Sequence, residues 1–117
     1  MTTATRIPPT ELPATIRAYL AAREAHDTEG ALRALAPTAV VVDAGTAYRG
    51  TDEVRRFLTH AGSGFRWTSE LVGAQREDDA RWVVTHRLEG DFPGGVVELR
   101  SRFALDGGLV TELVIAP

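Results

Sequence analysis

The chain contains no cysteine and no lysine, and each absence excludes a class of chemistry. Without cysteine there is neither a disulfide framework to support the fold nor a thiol nucleophile. Without lysine there is no amine for a Schiff-base mechanism, since all 13 basic residues are arginine. The three histidines lack the spacing of a metal site, and no HExxH motif or comparable carboxylate set occurs. We therefore expect neither a bound metal nor another cofactor.

Long apolar runs and an excess of positive charge are absent as well. No apolar stretch approaches the roughly 20 residues of a membrane span, and the first residues contain no apolar segment typical of a secretory signal. The net charge of −3 gives no support for nucleic-acid binding. We therefore expect neither a membrane nor a nucleic-acid partner, and a cytoplasmic location follows by default.

The length and composition predict a single domain. A chain of 117 residues is near the commonest domain size, and an apolar fraction of 44% is sufficient for a packed core. Residues 1–9 end in two prolines and are expected to form a flexible tail. The folded domain should therefore cover residues 10–117.

Two helices and a strand are predicted at the start of this domain. The first helix follows a candidate N-cap at Thr10 and continues to about Ala25, with apolar residues at helical spacing. The second begins after Asp27, and Pro37 is expected to stop it. A short apolar strand follows over residues 39–43.

A third helix is predicted before the pattern changes from helical to alternating. Acidic residues at 52–53 favour a helix start, and Gly62 and Gly64 are expected to end the helix. Four strands then follow, over residues 65–72, 81–88, 97–105 and 109–115. Helices followed by an antiparallel meander predict an α+β fold, with the helices packed on one face of a curved sheet.

Asp43 is the most informative single residue, because it ends the apolar run of residues 39–42. A carboxylate beside an apolar cavity has a raised pKa and can act as a general base near neutral pH. The alternative is a strand-end carboxylate that caps the turn at Gly45 or accepts hydrogen bonds from nearby backbone amides. The sequence leaves both interpretations open.

Several stretches resemble one superfamily over nearly the whole chain. They are IRAYLAA at 16–22, HDTEGAL at 26–32, APTAVVVD at 36–43, YRGTDEVRRFL at 48–58 and FALDGGLV at 103–110. Together they are similar to the nuclear transport factor 2-like superfamily, and more narrowly to the SnoaL-like polyketide cyclases and the ketosteroid isomerases. The resemblance implies a cone-shaped fold, with the helices against a curved, mostly antiparallel sheet that encloses a pocket.

The resemblance also implies roles for individual residues. Tyr19 and Asp43 stand where ketosteroid isomerases have a tyrosine that donates to the substrate oxygen and an aspartate that moves the proton. Ser101 stands where those enzymes have a protonated aspartate, which is a departure from the pattern. His86 shares the predicted inward face and could assist Asp43, although a lone inward histidine is also common in a core.

Large aromatic residues are expected to line the pocket. Trp67, Trp82 and Phe103 fall on inward positions of the predicted strands, and Phe57 lies on the apolar stripe of the third helix. The same residues could simply form the core. If they line a pocket, its shape favours flat apolar ligands such as steroids or polyketides.

The leading hypothesis is a small-molecule enzyme that transfers a proton next to a carbonyl of an apolar compound, as in isomerisation or aldol cyclisation. Asp43 would take the proton, and Tyr19, with Ser101 or His86, would stabilise the enolate oxygen. The alternative is a ligand-binding or dimerisation module of the same fold without chemistry. Epoxide hydrolysis ranks last, because it needs an arginine and two carboxylates around one water.

A homodimer through the outer face of the sheet is expected as well. The last predicted strand carries apolar residues on both faces, and Val110 and Val114 are assigned to the outer one. An apolar outer face is best explained if a second copy covers it.

Overall fold

The computed structural model describes residues 4–61, 64 and 66–117. Three α-helices and one sheet of seven strands form this part of the chain. The helices are α1 (Ala14–Glu24), α2 (Thr28–Arg33) and α3 (Gly50–His60). The strands are β1 (Thr5–Arg6), β2 (Leu35–Asp43), β3 (Thr46–Arg49), β4 (Trp67–Arg76), β5 (Arg81–Gly90), β6 (Val96–Asp106) and β7 (Leu109–Ala116).

The sheet has the strand order β1-β4-β5-β6-β7-β2-β3. Strands β4 to β7 form an antiparallel meander, and β2 pairs with β7 in parallel. The helices cover one face of this curved sheet, where they share a core with residues from β2, β5, β6 and β7. The predicted α+β fold is confirmed. In the described residues, no helix is long and apolar enough to cross a membrane.

The first helix begins later than predicted, and Thr10 is not its N-cap. A short 3₁₀ turn covers Pro9–Glu11, and α1 starts at Ala14 after Pro13. The reason is local. A residue before proline is disfavoured in the helical conformation, and Leu12 is extended, with φ −62° and ψ 145°.

Pro37 does not stop the second helix, because α2 has already ended at Arg33. Asp27 caps that helix as predicted, since its carboxylate accepts a hydrogen bond from the Gly30 amide at 2.9 Å. Pro37 lies inside β2, where the register with β7 shifts between Leu35 and Val40. A proline is tolerated there, because an irregular stretch of strand needs no ladder donor.

Two edge strands escape the sequence prediction. Thr5–Arg6 pairs with β4, although a loose tail is predicted over residues 1–9. The Ile7 amide also donates to the Ala74 carbonyl at 3.0 Å. At the opposite edge, Thr46–Arg49 forms β3 after a two-residue turn.

The meander follows the predicted alternation except at two register shifts, between Leu71 and Gly73 in β4 and between Ala104 and Leu105 in β6. Gly107 and Gly108, with φ of 62° and 79°, form the two-residue turn between β6 and β7. The predicted roles of Gly62 as a helix stop and of Phe65 as a strand residue lie outside the described residues.

The prediction that Val110 lies on the outer face of β7 is wrong. Val110 is fully buried in the core between the helices and the sheet. A register shift between Ala104 and Leu105 moves one residue of β7 out of alternation, so that Val110 pairs with Leu105. Val114 lies beyond the shift and pairs with Arg102, on the outer face as expected.

Candidate functional site

Asp43 lies in a cross-strand row on the sheet face that the helices cover. It pairs with Ile115 of β7, which pairs with Ser101 of β6, which in turn pairs with Val84 of β5. Val84 is completely buried in the core under the helices. Since residues in register share a face, Asp43 and Ser101 also face the helix side.

The carboxylate of Asp43 has no protein partner. It is partly buried, yet it accepts no hydrogen bond and forms no ion pair within the described parts of the chain. The nearby Ala44 amide points instead toward the Ile115 carbonyl, at 3.5 Å. Burial raises the pKa of Asp43, as expected for a carboxylate that loses water without gaining donors. The alternative of a turn-capping carboxylate therefore has no support in these contacts.

Tyr19 of α1 is a polar residue on which the charge of Asp43 acts. The residue is only 4% exposed, and its ring meets the ring of Phe103 edge-on, with centroids 5.6 Å apart. Its hydroxyl has no hydrogen-bond partner among residues 4–61, 64 and 66–117. Burial raises its pKa to about 12; the charge of Arg23 opposes this rise, and that of Asp43 adds to it. The fold thus brings Tyr19 and Asp43 within electrostatic reach.

His86 occupies a different part of the same face. It pairs with Leu71 of β4 and Leu99 of β6, and it is partly buried. Strands β6 and β7 separate it from Asp43, so the two backbones are roughly 14 Å apart at normal strand spacing. Burial lowers the pKa of His86, and the negative charge of Glu24 on α1 opposes that change. Glu24, rather than Asp43, is therefore the carboxylate that acts on this histidine.

The four aromatic candidates differ widely in burial. Phe103 is fully buried beneath Tyr19, and Phe57 is 5% exposed with its ring centroid 5.1 Å from that of Tyr48. Trp82 is partly buried against the core, whereas Trp67 is 38% exposed at the start of β4. Phe103 and Phe57 therefore belong to the core beside the site residues, and the two tryptophans lie nearer to solvent.

Arg23 is a candidate site residue that the sequence analysis does not identify. Its Nη1 donates to the Leu58 carbonyl at 2.9 Å, and its guanidinium lies 6.0 Å from the Phe57 ring centroid. Its charge also acts on Tyr19. A signal was available in the sequence, because residues four apart on a helix lie on the same side. Tyr19 and Arg23 have that spacing.

Two concave regions of the structure lie away from these residues. A groove of about 670 Å³ runs between α1, α2 and the start of β7, and several alanines line it. A smaller cavity of about 120 Å³ lies between β2 and the start of α3. Neither contains Tyr19, Asp43 or His86. No group of three or more His, Asp and Glu side chains in the described residues could hold a metal ion.

Solved structures of similar fold support this architecture. A proposed polyketide cyclase from Sinorhizobium meliloti is 26% identical, with a TM-score of 0.85 over 94% of this chain and 100% of that one. Another, from Silicibacter sp., is 23% identical with a TM-score of 0.70, over 87% and 85%. A Mycobacterium tuberculosis protein in complex with estradiol-17β-hemisuccinate is 19% identical with a TM-score of 0.72, over 88% and 90%.

A comparison with protein-family models identifies the family of the chain. No curated protein matches the chain in sequence. The model of the SnoaL-like domain matches residues 16–113, which include most of α1, all of α2 and α3, β2 to β6 and most of β7. This match covers most of the chain, and the chain therefore belongs to the SnoaL-like domain family.

Proposed function

We propose that this protein is an enzyme that transfers a proton at a carbon next to a carbonyl group in an apolar substrate. One observation carries the proposal: Asp43 is a partly buried carboxylate without a hydrogen-bond donor, within electrostatic reach of the unpartnered Tyr19 hydroxyl. A structural carboxylate would normally have donors around it. These two groups are free to act on a ligand placed between α1 and the sheet.

Asp43 is the general base in this proposal. Burial raises its pKa, which makes it a better proton acceptor than a fully solvated aspartate. It removes a proton from the carbon next to the carbonyl and leaves an enolate. In a substrate with a β,γ double bond the dienolate takes the proton back from Asp43 at the γ-carbon, which is isomerisation. In a substrate with a second carbonyl the enolate carbon attacks that carbonyl, and the resulting alkoxide takes the proton from Asp43, which is aldol cyclisation.

Tyr19 stabilises the oxygen of that enolate. Its pKa of about 12 keeps the hydroxyl protonated at neutral pH, so it can donate a hydrogen bond to the developing charge. The edge contact with Phe103 holds the ring in position before the substrate arrives. A donor that is already oriented costs little to use in the transition state.

Ser101 and His86 have supporting roles. Ser101 lies two strands from Asp43 in the same row and supplies a neutral hydroxyl. The lowered pKa of His86 keeps its imidazole neutral at pH 7, so it can donate or accept a hydrogen bond. Trp67 and Trp82 would line the flat apolar part of the pocket. The steroid ester on the M. tuberculosis protein supports a ligand of this size and shape on this fold.

The test is deuterium exchange at the acidic CH₂ of 2-tetralone, a flat bicyclic ketone, followed by NMR in D₂O. Wild-type protein should accelerate exchange above the buffer rate, and Asp43→Asn should abolish the acceleration. Asp106→Asn is the matched control, because Asp106 is an exposed aspartate at the end of β6. Equal exchange with wild type and Asp43→Asn would rule out the base assignment.

A binding module without chemistry is the second candidate, and Ser101 favours it. The ketosteroid isomerase pattern has an acid where this chain has a neutral serine. Tight binding of 2-naphthol, a flat enolate analogue, together with no 2-tetralone exchange, would support this function over catalysis.

We also propose a homodimer through the outer face of the sheet. Val42 and Val114 are paired across β2 and β7 on that face, and both are only partly buried. Val110 no longer contributes, since it belongs to the core. Light scattering should give twice the monomer mass, and a Val114→Arg variant should give the monomer mass. A monomeric wild type at micromolar concentration would contradict the proposal.

A further inference from the structure

We propose that Arg23 binds a carboxylate of the ligand, so that the substrate class is an apolar keto acid rather than a neutral ketone. The inference rests on the proposed function, because it takes the ligand to lie between α1, α3 and the sheet. It adds a charged group to a ligand that is otherwise flat and apolar.

Arg23 is held in place from two sides. Its Nη1 donates to the Leu58 carbonyl at 2.9 Å, and its guanidinium lies above the Phe57 ring at 6.0 Å from the centroid. Leu58 lies in the last turn of α3, where backbone carbonyls lack partners within the helix. A planar guanidinium fixed by one hydrogen bond and one ring presents its remaining N–H groups in a defined direction.

Arg23 also lacks a counter-ion. Six other arginines form ion pairs with carboxylates, whereas Arg23 forms none among residues 4–61, 64 and 66–117. It is partly buried, and one hydrogen bond and one ring contact replace only part of the hydration that its charge loses. The hydrogen bond to the Leu58 carbonyl uses one N–H group of Arg23. The others remain available to an anion supplied by the ligand.

A carboxylate suits this arrangement better than a neutral group. The fork of N–H groups on a guanidinium matches the two oxygens of a carboxylate, and such charge-assisted pairs are among the strongest hydrogen bonds in proteins. Asp43 and Glu24 are negatively charged and would repel a carboxylate of the ligand. That carboxylate must therefore lie on the side of Arg23 and α3. The carbonyl end then remains at Tyr19 and Asp43.

The helix also sets the spacing of the two ends of the ligand. Tyr19 and Arg23 are four residues apart on α1, which corresponds to about 6 Å along the axis. The carboxylate should therefore lie only a few bonds from the carbonyl oxygen that Tyr19 contacts.

The experiment compares 2-naphthoate with 2-naphthamide, two flat ligands of the same shape that differ in charge. Binding to wild type, Arg23→Gln and Arg17→Gln is measured by NMR titration at pH 7. Arg17 is the matched control, because it lies on the same helix, is exposed, and donates its Nε to the Leu12 carbonyl at 3.1 Å. Arg23→Gln should weaken naphthoate binding about tenfold to a hundredfold and leave naphthamide binding within about twofold. Arg17→Gln should change neither.

Arg23→Lys serves as the second variant in case Arg23→Gln does not fold. It keeps the positive charge but loses the fork, so naphthoate should bind more weakly than to wild type, with naphthamide unchanged. Equal losses of affinity for both ligands, or no loss for either, would show that Arg23 only donates to the Leu58 carbonyl at the end of α3.

The outcomes also separate this inference from the catalytic proposal. Failure of both ligands to bind wild type would overturn the ligand site and this inference with it. Selective loss of naphthoate in Arg23→Gln, combined with no exchange of 2-tetralone by wild type, would support the carboxylate site and contradict only the catalysis. Normal exchange without selective loss would contradict only the role of Arg23.

Discussion

The ring of Tyr19 meets the ring of Phe103 at an interplanar angle of 74°, with the centroids 5.6 Å apart. Phe103 is fully buried at the centre of the sheet, so the proposed donor of the site rests directly on the core. The position of the Tyr19 hydroxyl and the stability of the protein therefore depend on the same contact.

Phe103→Ala should destabilise the protein by about 3–5 kcal/mol, because it leaves a cavity under α1 and removes the edge contact. Urea unfolding followed by circular dichroism measures the change. Val96→Ala is the control, since Val96 is 49% exposed and should cost about 0.5 kcal/mol or less. A loss below about 1 kcal/mol for Phe103→Ala would show that the ring is not a central support.

Tyr19→Phe should separate function from stability. Loss of one donor to a developing enolate commonly lowers the rate about 10²- to 10³-fold, and we expect this range for 2-tetralone exchange. Stability should stay about the same, because the variant removes a hydroxyl that has no hydrogen bond in the described residues.

Tyr48→Phe is the matched control for Tyr19→Phe. Tyr48 is the other tyrosine of the chain, and it packs on Phe57 with centroids 5.1 Å apart. Its variant should exchange 2-tetralone at the wild-type rate. Equal rates for Tyr19→Phe and wild type would exclude Tyr19 as the donor.

Asp43→Asn should stabilise the protein in a pH-dependent way. Burial raises the pKa of Asp43 above its ordinary value of 3.8, so the folded state binds this proton more tightly than the unfolded state. The stabilisation from that proton is present below the unfolded pKa and is lost as the pH rises through the folded pKa. At pH 7 the ionised wild-type group therefore opposes folding.

Thermal unfolding at two pH values checks this sign. The melting temperature of Asp43→Asn should exceed that of wild type at pH 7, and the gap should close near pH 3, where both side chains are neutral. Asp106→Asn is the exposed control, and its melting temperature should differ little from that of wild type at both pH values. A lower melting temperature for Asp43→Asn at pH 7 would mean that Asp43 has a stabilising partner.

Gly90→Ala should destabilise the end of the β4–β5 pair. A Cβ at this position would lie 2.4 Å from the Arg66 carbonyl oxygen and 2.7 Å from the Cβ of Trp67, so the backbones must separate. Such overpacking typically costs about 1–3 kcal/mol. Urea unfolding gives the energy, and tryptophan fluorescence reports the displacement of Trp67.

Gly73→Ala is the control for that variant. Gly73 lies in β4, the strand that pairs with that of Gly90, but a Cβ there would meet no atom within 4 Å, and its φ is not positive. It should cost much less than Gly90→Ala. Equal losses would indicate that the effect comes from strand propensity rather than from the close contact with Trp67.

Local patterns in the sequence predicted much of the fold. Alternation places Trp82, Val84 and His86 on one face of β5, and the structure confirms that Val84 faces the core. The Asp27 cap and the Gly107–Gly108 turn were also predictable, because both depend on residues within three positions of each other.

Errors occur where distant segments decide the outcome. Simple alternation predicts Val110 on the outer face, but a register shift against β6 places it in the core. The sequence predicts Pro37 as a helix stop, yet the parallel pairing of β2 with β7 extends back to Leu35. No pattern within one segment contains the register of its partner strand.

The order of helices and strands, the inward positions of Val84 and Phe103 and the place of Asp43 at the end of an apolar run all follow from the amino-acid sequence alone. The surroundings of the site residues depend on tertiary contacts. The tertiary structure left Asp43 without a donor, set Glu24 to act on His86 and fixed Arg23 against Leu58 and Phe57. Spacing along one chain segment determines which side a residue faces, whereas its partners depend on segments that only folding brings together.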